Sequence, residues 1–206
     1  MGENVVLVYL VVCFFVFLAG FVDSIAGGGG LISLPAYMIA GLPVHTAIAT
    51  NKMSSSMGTF VASFHYMKKG FMKWKICIPA VFGAIAGSWI GSHLALLISE
   101  KALKIAMLVV LPVILFYVLR SKALKGKDEN ATEVINGMLI FKSILIAAVV
   151  GIYDGIYGPG TGTFLMLLFT GFCHMTLNDA AGATKAINLT TNITAVSYTH
   201  LTLPTT

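Results

Sequence analysis

The stretch FVDSIAGGGGLISLP, residues 21–35, places four consecutive glycines between two strongly apolar runs, with one acidic residue, Asp23, just before them. Glycine is about 1 kcal/mol less favourable than alanine inside a helix, so four in a row indicate a break where the backbone is open or closely approached. A similar stretch, IYDGIYGPGTGTFL, follows at residues 152–165, with Asp154 in the place of Asp23 and Pro159 as an additional helix breaker. The chain therefore predicts two broken helices, each preceded by an acid.

The composition indicates an integral membrane protein. Of the 206 residues, 57% are hydrophobic and only 10% are charged, whereas a soluble domain has about 25% charged residues. The formal net charge is +5, but the lysines fall in short loops between apolar runs, where they report orientation by the positive-inside rule rather than nucleic-acid binding. We therefore expect the lipid bilayer, and no nucleic acid, as a partner of this chain.

The apolar runs divide the chain into two halves of similar plan. The first half contains a near-spanning run, a short run after the glycines, an unusually polar segment and two further spans, at residues 5–22, 31–42, 44–66, 76–98 and 102–119. The second half repeats the first three kinds of segment, at residues 134–153, 164–173 and 177–196. In the fourth span, Gly83, Gly87 and Gly91 lie four residues apart and predict a small-residue packing face.

These segments predict an all-α, polytopic helical bundle with glycine-broken helices and an inverted repeat. Residues 1–120 are expected to form a first transmembrane repeat, 121–135 a cytoplasmic linker, and 136–196 an incomplete second repeat. The tail SYTHLTLPTT, residues 197–206, abandons the apolar pattern and is expected to be non-native. The lysine-rich loops at 68–75 and 120–127 are expected inside and the N-terminus outside, unless the run 31–42 is re-entrant, which would change the parity.

Four motifs carry a resemblance to a known family. In GFVDSIAGGGGLISLP and HTAIATNKMSSS of the first half, and in GIYDGIYGPGTGTFL and AAGATKAINLTTN of the second, the sequence resembles the sulfite exporter TauE/SafE family of bacterial membrane transporters. The resemblance covers about residues 5–196. It implies a multi-pass protein of the bacterial inner membrane that moves sulfite, sulfonates or related sulfur-containing organic anions. Members of the family are usually longer than this chain, which implies a C-terminal truncation.

The motifs also predict an anion site on physical grounds. A glycine-rich break at membrane depth is tolerated only where it lines a cavity or is buried in protein, and the helix after it presents unpaired N–H groups and a positive dipole end. Two such ends, helped by lysines and by serine and asparagine side chains, could face one anion. The predicted substrate-binding residues are Gly27, Gly28, Gly29, Gly30, Asn51, Lys52, Ser54, Ser55, Gly158, Gly160, Gly162, Lys185, Asn188 and Asn192.

Three further residues, Asp23, His45 and Asp154, are expected to serve in coupling or in ion pairs, with His45 as the one histidine that could relay a proton. Two interpretations of the charges stay open. In one, Lys52 and Lys185 bind the anion. In the other, Asp23 pairs with Lys52 and Asp154 pairs with Lys185, and both pairs are structural. The glycine breaks could likewise serve only close helix packing.

Other classes of function have less support. His45, His65, His93 and His174 lack metal-ligand spacing, GPGTGT lacks the G-K-[ST] of a phosphate loop, and no G-x-S-x-G or histidine–acid constellation predicts an enzyme. We therefore expect no metal, no cofactor and no catalytic activity, but a small anionic substrate, while the oligomeric state stays open. The alternatives are an anion channel, which also uses exposed backbone, and a membrane scaffold without transport.

Overall fold

The computed structural model describes residues 2–26, 28–120 and 135–202, and within these ranges the chain forms eight α-helices and no strand. The predicted all-α class is confirmed. Gly27 and residues 121–134, which make up nearly all of the predicted linker, lie outside the described residues. The helices are α1 (Gly2–Ala26), α2 (Gly30–Ile39), α3 (Val44–Lys68), α4 (Trp74–Leu97), α5 (Glu100–Arg120), α6 (Gly137–Ile156), α7 (Thr161–Gly171) and α8 (Leu177–Thr202).

The outer surface of the helices suits a membrane. Within the described residues, three segments are long and apolar enough to cross a bilayer: Val6–Ser24, Trp74–Leu97 and Gly137–Ile156. Large apolar side chains such as Phe82 and Trp89 of α4 point outward and are exposed. Because a soluble protein rarely exposes so much contiguous apolar surface, these faces are the ones that lie against lipid.

The short helix α2 returns along α1 instead of crossing the membrane. It has 10 residues, which make about 15 Å of helix, against roughly 30 Å of hydrocarbon. Before its first turn, Gly29 packs on Ala19 so closely that a β-carbon would lie 2.4 Å from the Ala19 carbonyl oxygen. Near its end, Tyr37 joins an apolar cluster that Val12 packs against. Gly41, at φ +90°, then terminates the helix, as glycine after a C-cap commonly does.

The same plan recurs in the second half, where α7 returns along α6. At one end of this pair, the Thr161 hydroxyl donates to Asp154 Oδ1 at 2.7 Å. At the other end, Ser143 Oγ lies 3.9 Å from Cys173 Sγ. Each half of the chain therefore contains a long helix, a break, a short returning helix and a second long helix.

Glycines hold α4 and α6 together along their length. A β-carbon on Gly83, Gly87 or Gly91 would lie 2.7, 2.1 or 2.2 Å from the carbonyl oxygens of Ile144, Ala148 and Ile152, respectively. The predicted small-residue packing face is confirmed. Because the contacts advance in the same order on both helices, α4 and α6 run in the same direction.

The long polar helices α3 and α8 run in opposite directions. The start of α3 lies near the end of α8, since His45 and Ala195 line one cavity. The end of α3 lies near the start of α8, since the Tyr66 ring packs on the ring of Phe71 and Gly182 packs on the Phe71 carbonyl. This antiparallel pair passes beside both glycine breaks and positions the polar residues of both halves.

Candidate functional site

The two glycine breaks meet at the centre of the protein. A β-carbon on Gly30 would lie 3.3 Å from Pro159 Cα, and one on Gly28 would lie 3.2 Å from Thr163 Oγ1. Gly28 has φ +111° and Gly160 has φ +81°, conformations that side chains other than glycine rarely adopt. The glycines are therefore required both by backbone conformation and by close approach.

Asp23 caps the helix that follows the first break. Its Oδ1 accepts hydrogen bonds from the backbone N–H groups of Gly28, at 2.9 Å, and Gly29, at 3.1 Å. A carboxylate at this position is stabilised by the unpaired N–H groups and by the positive end of the helix dipole. The anion position that the sequence predicts at the start of α2 is thus filled by a carboxylate of the chain itself.

Asp154 occupies the corresponding position beside the second break. Its side chain is 2% exposed, and its Oδ1 accepts from the hydroxyl of Thr161, the first residue of α7. The Thr161 hydroxyl also lies 2.6 Å from the Gly158 carbonyl, so it bridges the break. Both short helices therefore begin next to an acid from the preceding long helix.

The two lysines cross over to the acids of the opposite halves. Lys52 Nζ lies 3.2 Å from Asp154 Oδ2, and Lys185 Nζ lies 3.8 Å from Asp23 Oδ2. Each ammonium group also donates to the backbone carbonyl of its aspartate. The predicted pairs, Asp23 with Lys52 and Asp154 with Lys185, are wrong. The cause is the antiparallel packing of α3 on α8, which points each lysine at the break of the other half.

The burial of these ion pairs makes them important for stability. Both lysine side chains are 3% exposed. Removing one partner of a buried pair costs about 3–5 kcal/mol, because the other charge is left uncompensated. Ionisable groups inside membrane helices are rare and are usually functional. The crossed pairs therefore tie the two halves together at the point where function is expected.

Within the part of the chain that the structure describes, three cavities surround the crossed pairs. The central cavity measures about 10 Å³, which is room for roughly one water molecule. Its lining consists of the two acids, glycines of both breaks and polar side chains. These residues are Asp23, Gly28, Gly30, Asn51, Ser55, Asp154, Gly158, Gly160, Thr161, Gly162, Asn188 and Asn192.

Two larger cavities lie toward opposite ends of α3. The Lys185 cavity measures about 80 Å³, and its polar lining is Asp23, Ser24, Ser33, Asn51, Ser54, Ser55 and Lys185. The Lys52 cavity measures about 230 Å³; His45, Lys52 and Ser92 line it together with apolar residues such as Ile48 and Leu96. Each of the two larger cavities therefore holds one of the two buried lysines.

The structure brings the predicted residues into one region. Every predicted site residue that the structure describes, His45 included, lines at least one of the three cavities. Gly27 lies outside the described residues. Three residues that the sequence did not single out, Ser33, Thr161 and Ser92, also line these cavities. Ser33 donates to Asn51 Oδ1 at 2.5 Å, and the buried Ser92 hydroxyl has no hydrogen-bond partner among the described residues.

A signal in the sequence was available for two of these three residues. Thr161 directly follows the second break, and Ser33 lies one turn into the helix after the first break, so a polar side chain there is near the helix N-terminus. Ser92 sits beside Gly91 in an otherwise apolar span. Nothing local distinguishes it from a packing serine.

Comparison with known proteins gives the family of the chain. The model of the family described as sulfite exporter TauE/SafE matches residues 12–204. A probable membrane transporter protein of Sinorhizobium sp is 33% identical, over 87% of this chain and 67% of its own length. The probable membrane transporter protein YfcA of Escherichia coli K12 is 34% identical, over 88% of this chain and 66% of its own length.

A probable membrane transporter protein of Haemophilus influenzae is 31% identical, over 86% of this chain and 68% of its own length. The chain thus spans about two thirds of the length of these curated relatives. No solved structure matches it. The resemblance expected from the paired motifs is confirmed, and the chain belongs to the sulfite exporter TauE/SafE family, a family of membrane transporters.

Proposed function

We propose that this chain carries the substrate site of a transporter that moves sulfite, a sulfonate or a related small sulfur-containing anion across the bacterial inner membrane. The observation that carries the proposal is the pair of buried lysines, each beside an acid at the start of a short helix. The family description, sulfite exporter, supports the substrate class. The relatives themselves are named only as probable membrane transporter proteins.

The Lys185 cavity has the chemistry that a small oxyanion needs. Lys185 supplies a positive charge, the N–H groups of Gly28 and Gly29 point toward the position of the Asp23 carboxylate, and Asn51, Ser54 and Ser55 supply hydrogen-bond donors. Charge-assisted hydrogen bonds to such groups contribute about 1.5–3 kcal/mol each. We assign the bound anion to this cavity, where it takes the place of the Asp23 carboxylate.

The arrangement of cavities favours a carrier over a channel. A channel in its conducting state needs a continuous polar path, whereas here the centre between the two breaks has room for roughly one water molecule. The larger cavities lie on either side of this closed centre. Such an arrangement is expected when one site opens to each side of the membrane in turn.

The helix directions support an inverted repeat as the basis of this alternation. Helix α6 runs parallel to α4, and α3 runs antiparallel to α8. Helix α3 of the first half therefore points opposite to α8, the helix at the equivalent position of the second half. We propose that residues 1–120 and 136–196 are related in this way, with the crossed ion pairs at the contact between them.

A flux assay in liposomes tests the proposal. The chain is reconstituted, and the uptake of radiolabelled sulfite and of radiolabelled methanesulfonate is measured over a range of concentrations. Saturable uptake supports the carrier, and unsaturated flux that follows the electrical driving force supports the alternative of an anion channel. The absence of flux for both probes contradicts the transport proposal. The matched control is Lys142→Met, since Lys142 is an exposed lysine outside the three cavities.

A further inference from the structure

We infer that a transported monoanion enters this site together with one proton, which neutralises Asp23, so that transport is an electroneutral proton–anion cotransport. The inference rests on the proposed function, because it concerns the charge balance of the proposed anion site. It goes beyond that function by naming the coupling ion and the residue that carries it.

The two ion pairs at the centre carry no net formal charge. Among the described residues, the charged side chains of the two ion pairs are Asp23, Asp154, Lys52 and Lys185. Their formal charges sum to zero. An anion added to this buried centre would leave one negative charge uncompensated, which is expensive in a low-dielectric site. A proton taken up with the anion restores the sum to zero.

The anion and the Asp23 carboxylate compete for the same groups. The donors that an anion would use, which are the N–H groups of Gly28 and Gly29 and the ammonium of Lys185, already serve the Asp23 carboxylate. A protonated Asp23 is neutral and has lost its charge attraction to Lys185 and to the helix end. The anion can then replace it. Proton and anion therefore bind cooperatively, since each removes the obstacle to the other.

The two acids differ in exposure and in the length of their ion pairs, and the difference points to Asp23. The Asp23 side chain is 18% exposed, borders the Lys185 cavity and lies 3.8 Å from its lysine. The Asp154 side chain is 2% exposed, lies 3.2 Å from Lys52 and accepts the Thr161 hydroxyl. Asp23 is thus the more exposed of the two acids, and its ion pair is the longer one.

The groups facing Asp23 are consistent with this role. Helix α8 contributes Lys185, and α6 contributes Asp154 across the central cavity. The neighbouring side chains of α3, namely Asn51, Ser54 and Ser55, are uncharged, and Gly28 and Gly29, just before α2, contribute backbone N–H groups. Asp23 and Asp154 line the same small central cavity, and Asp23 also borders the larger Lys185 cavity.

The experiment measures protons and anions in the same vesicles. Liposomes containing the protein and an internal pH dye receive an inward gradient of radiolabelled methanesulfonate, the anion of a strong acid that cannot itself carry a proton at neutral pH. We expect about one proton to enter with each methanesulfonate, and an unchanged initial rate when valinomycin and potassium impose a membrane potential, because the complex carries no net charge.

Variants separate this inference from the proposed function. Asp23→Asn should lose the acidification that accompanies methanesulfonate uptake, and the saturable uptake that it retains, measured per inserted protein, should respond to the imposed potential. Asp179→Asn is the matched control, since Asp179 also pairs with a lysine, Lys73, but lies outside the three cavities. It should leave the ratio of protons to anions unchanged.

Three results are decisive. If the wild-type chain transports neither methanesulfonate nor sulfite, the proposed function fails. If it transports methanesulfonate saturably without acidification, or with a net current, the transporter stands and the coupling inference is overturned. If Asp23→Asn does not reach the membrane, the wild-type protein in weakly buffered detergent is used instead, and proton uptake is measured as methanesulfonate binds. Uptake of about one proton per bound anion supports the inference. Binding of methanesulfonate without proton uptake contradicts it.

Discussion

At the scale of single residues, the partner of each buried lysine decides how the two halves are joined. Lys52 and Lys185 occupy similar positions in their segments, and the sequence alone is compatible with pairing either within a half or between halves. The residue types and their burial could be predicted, because charged residues in a membrane segment need partners. The partners themselves could not, because they depend on the antiparallel packing of α3 against α8.

A double-mutant comparison distinguishes the two pairings. Lys52→Met should lower the free energy of unfolding by about 3–5 kcal/mol, because it leaves Asp154 buried and unpaired. Adding Asp154→Asn should restore most of that loss, whereas adding Asp23→Asn should restore none of it. Thermal unfolding of the purified variants in detergent measures both outcomes. Rescue by Asp23→Asn in place of Asp154→Asn would show that the pairs form within the halves.

At the scale of helices and breaks, the glycines account for most of what the sequence predicts correctly. Runs of glycine and proline in apolar stretches gave the positions of both breaks, and the spacing of Gly83, Gly87 and Gly91 gave the packing face of α4. These signals are local, so sequence carries them. The return of α2 along α1 and of α7 along α6 depends on contacts distant in sequence. Only the shortness of α2 and α7 hinted at it.

The break in the first half can be tested at Gly29. A β-carbon there would lie 2.4 Å from the Ala19 carbonyl oxygen, so Gly29→Leu should force α2 away from α1 and abolish uptake. Membrane insertion should persist, since the segment remains apolar. Gly171→Leu is the control, because a β-carbon at Gly171 has no neighbour within 4 Å. Immunoblots of the membrane fraction measure insertion, and the uptake assay measures transport. Normal uptake by Gly29→Leu would mean that the break is dispensable for transport.

A larger side chain in the interface between α4 and α6 should lower the stability of the protein and leave the polar centre unchanged. Gly87→Leu would place a β-carbon 2.1 Å from the Ala148 carbonyl oxygen, and such overpacking costs at least about 1–3 kcal/mol. A conservative change on the exposed face of the same helix, Phe82→Leu, should alter stability by less than about 0.5 kcal/mol. Unfolding temperatures in detergent compare the two variants. Equal values would place Gly87 outside the tight interface.

At the scale of the whole molecule, the membrane class and the all-α architecture followed from composition and from the lengths of the apolar runs. The cavities could not be predicted from composition or run length, because their walls combine residues of seven helices: α1, α2, α3, α4, α6, α7 and α8. Ser92 is an example, because its buried hydroxyl can be recognised as part of a site only when the Lys52 cavity that it lines is known. The predicted character of the tail at 197–206 and the boundaries of the repeats stay predictions.

The topology of the chain follows from helix directions and charge. Because α2 returns along α1, it adds no crossing, but α3 returns along α2 and so runs in the same direction as α1. The loop at 68–75 then still lies opposite the N-terminus. We predict this loop and residues 120–127 inside and the N-terminus outside. In a variant without native cysteines, Ser121→Cys should react with an impermeant thiol reagent only after the cells are opened; labelling of intact cells would reverse the assignment.

The central claim is that Lys185 and the Asp23 position form the anion site, and one double variant tests it most directly. Asp23→Asn with Lys185→Met removes both charges together, so the protein should fold with an unfolding temperature close to that of the wild type. Saturable uptake of radiolabelled methanesulfonate should fall at least about tenfold, because the loss of one charge-assisted contact is sufficient for that factor. A well-folded double variant that takes up methanesulfonate with wild-type rate and saturation would contradict the account.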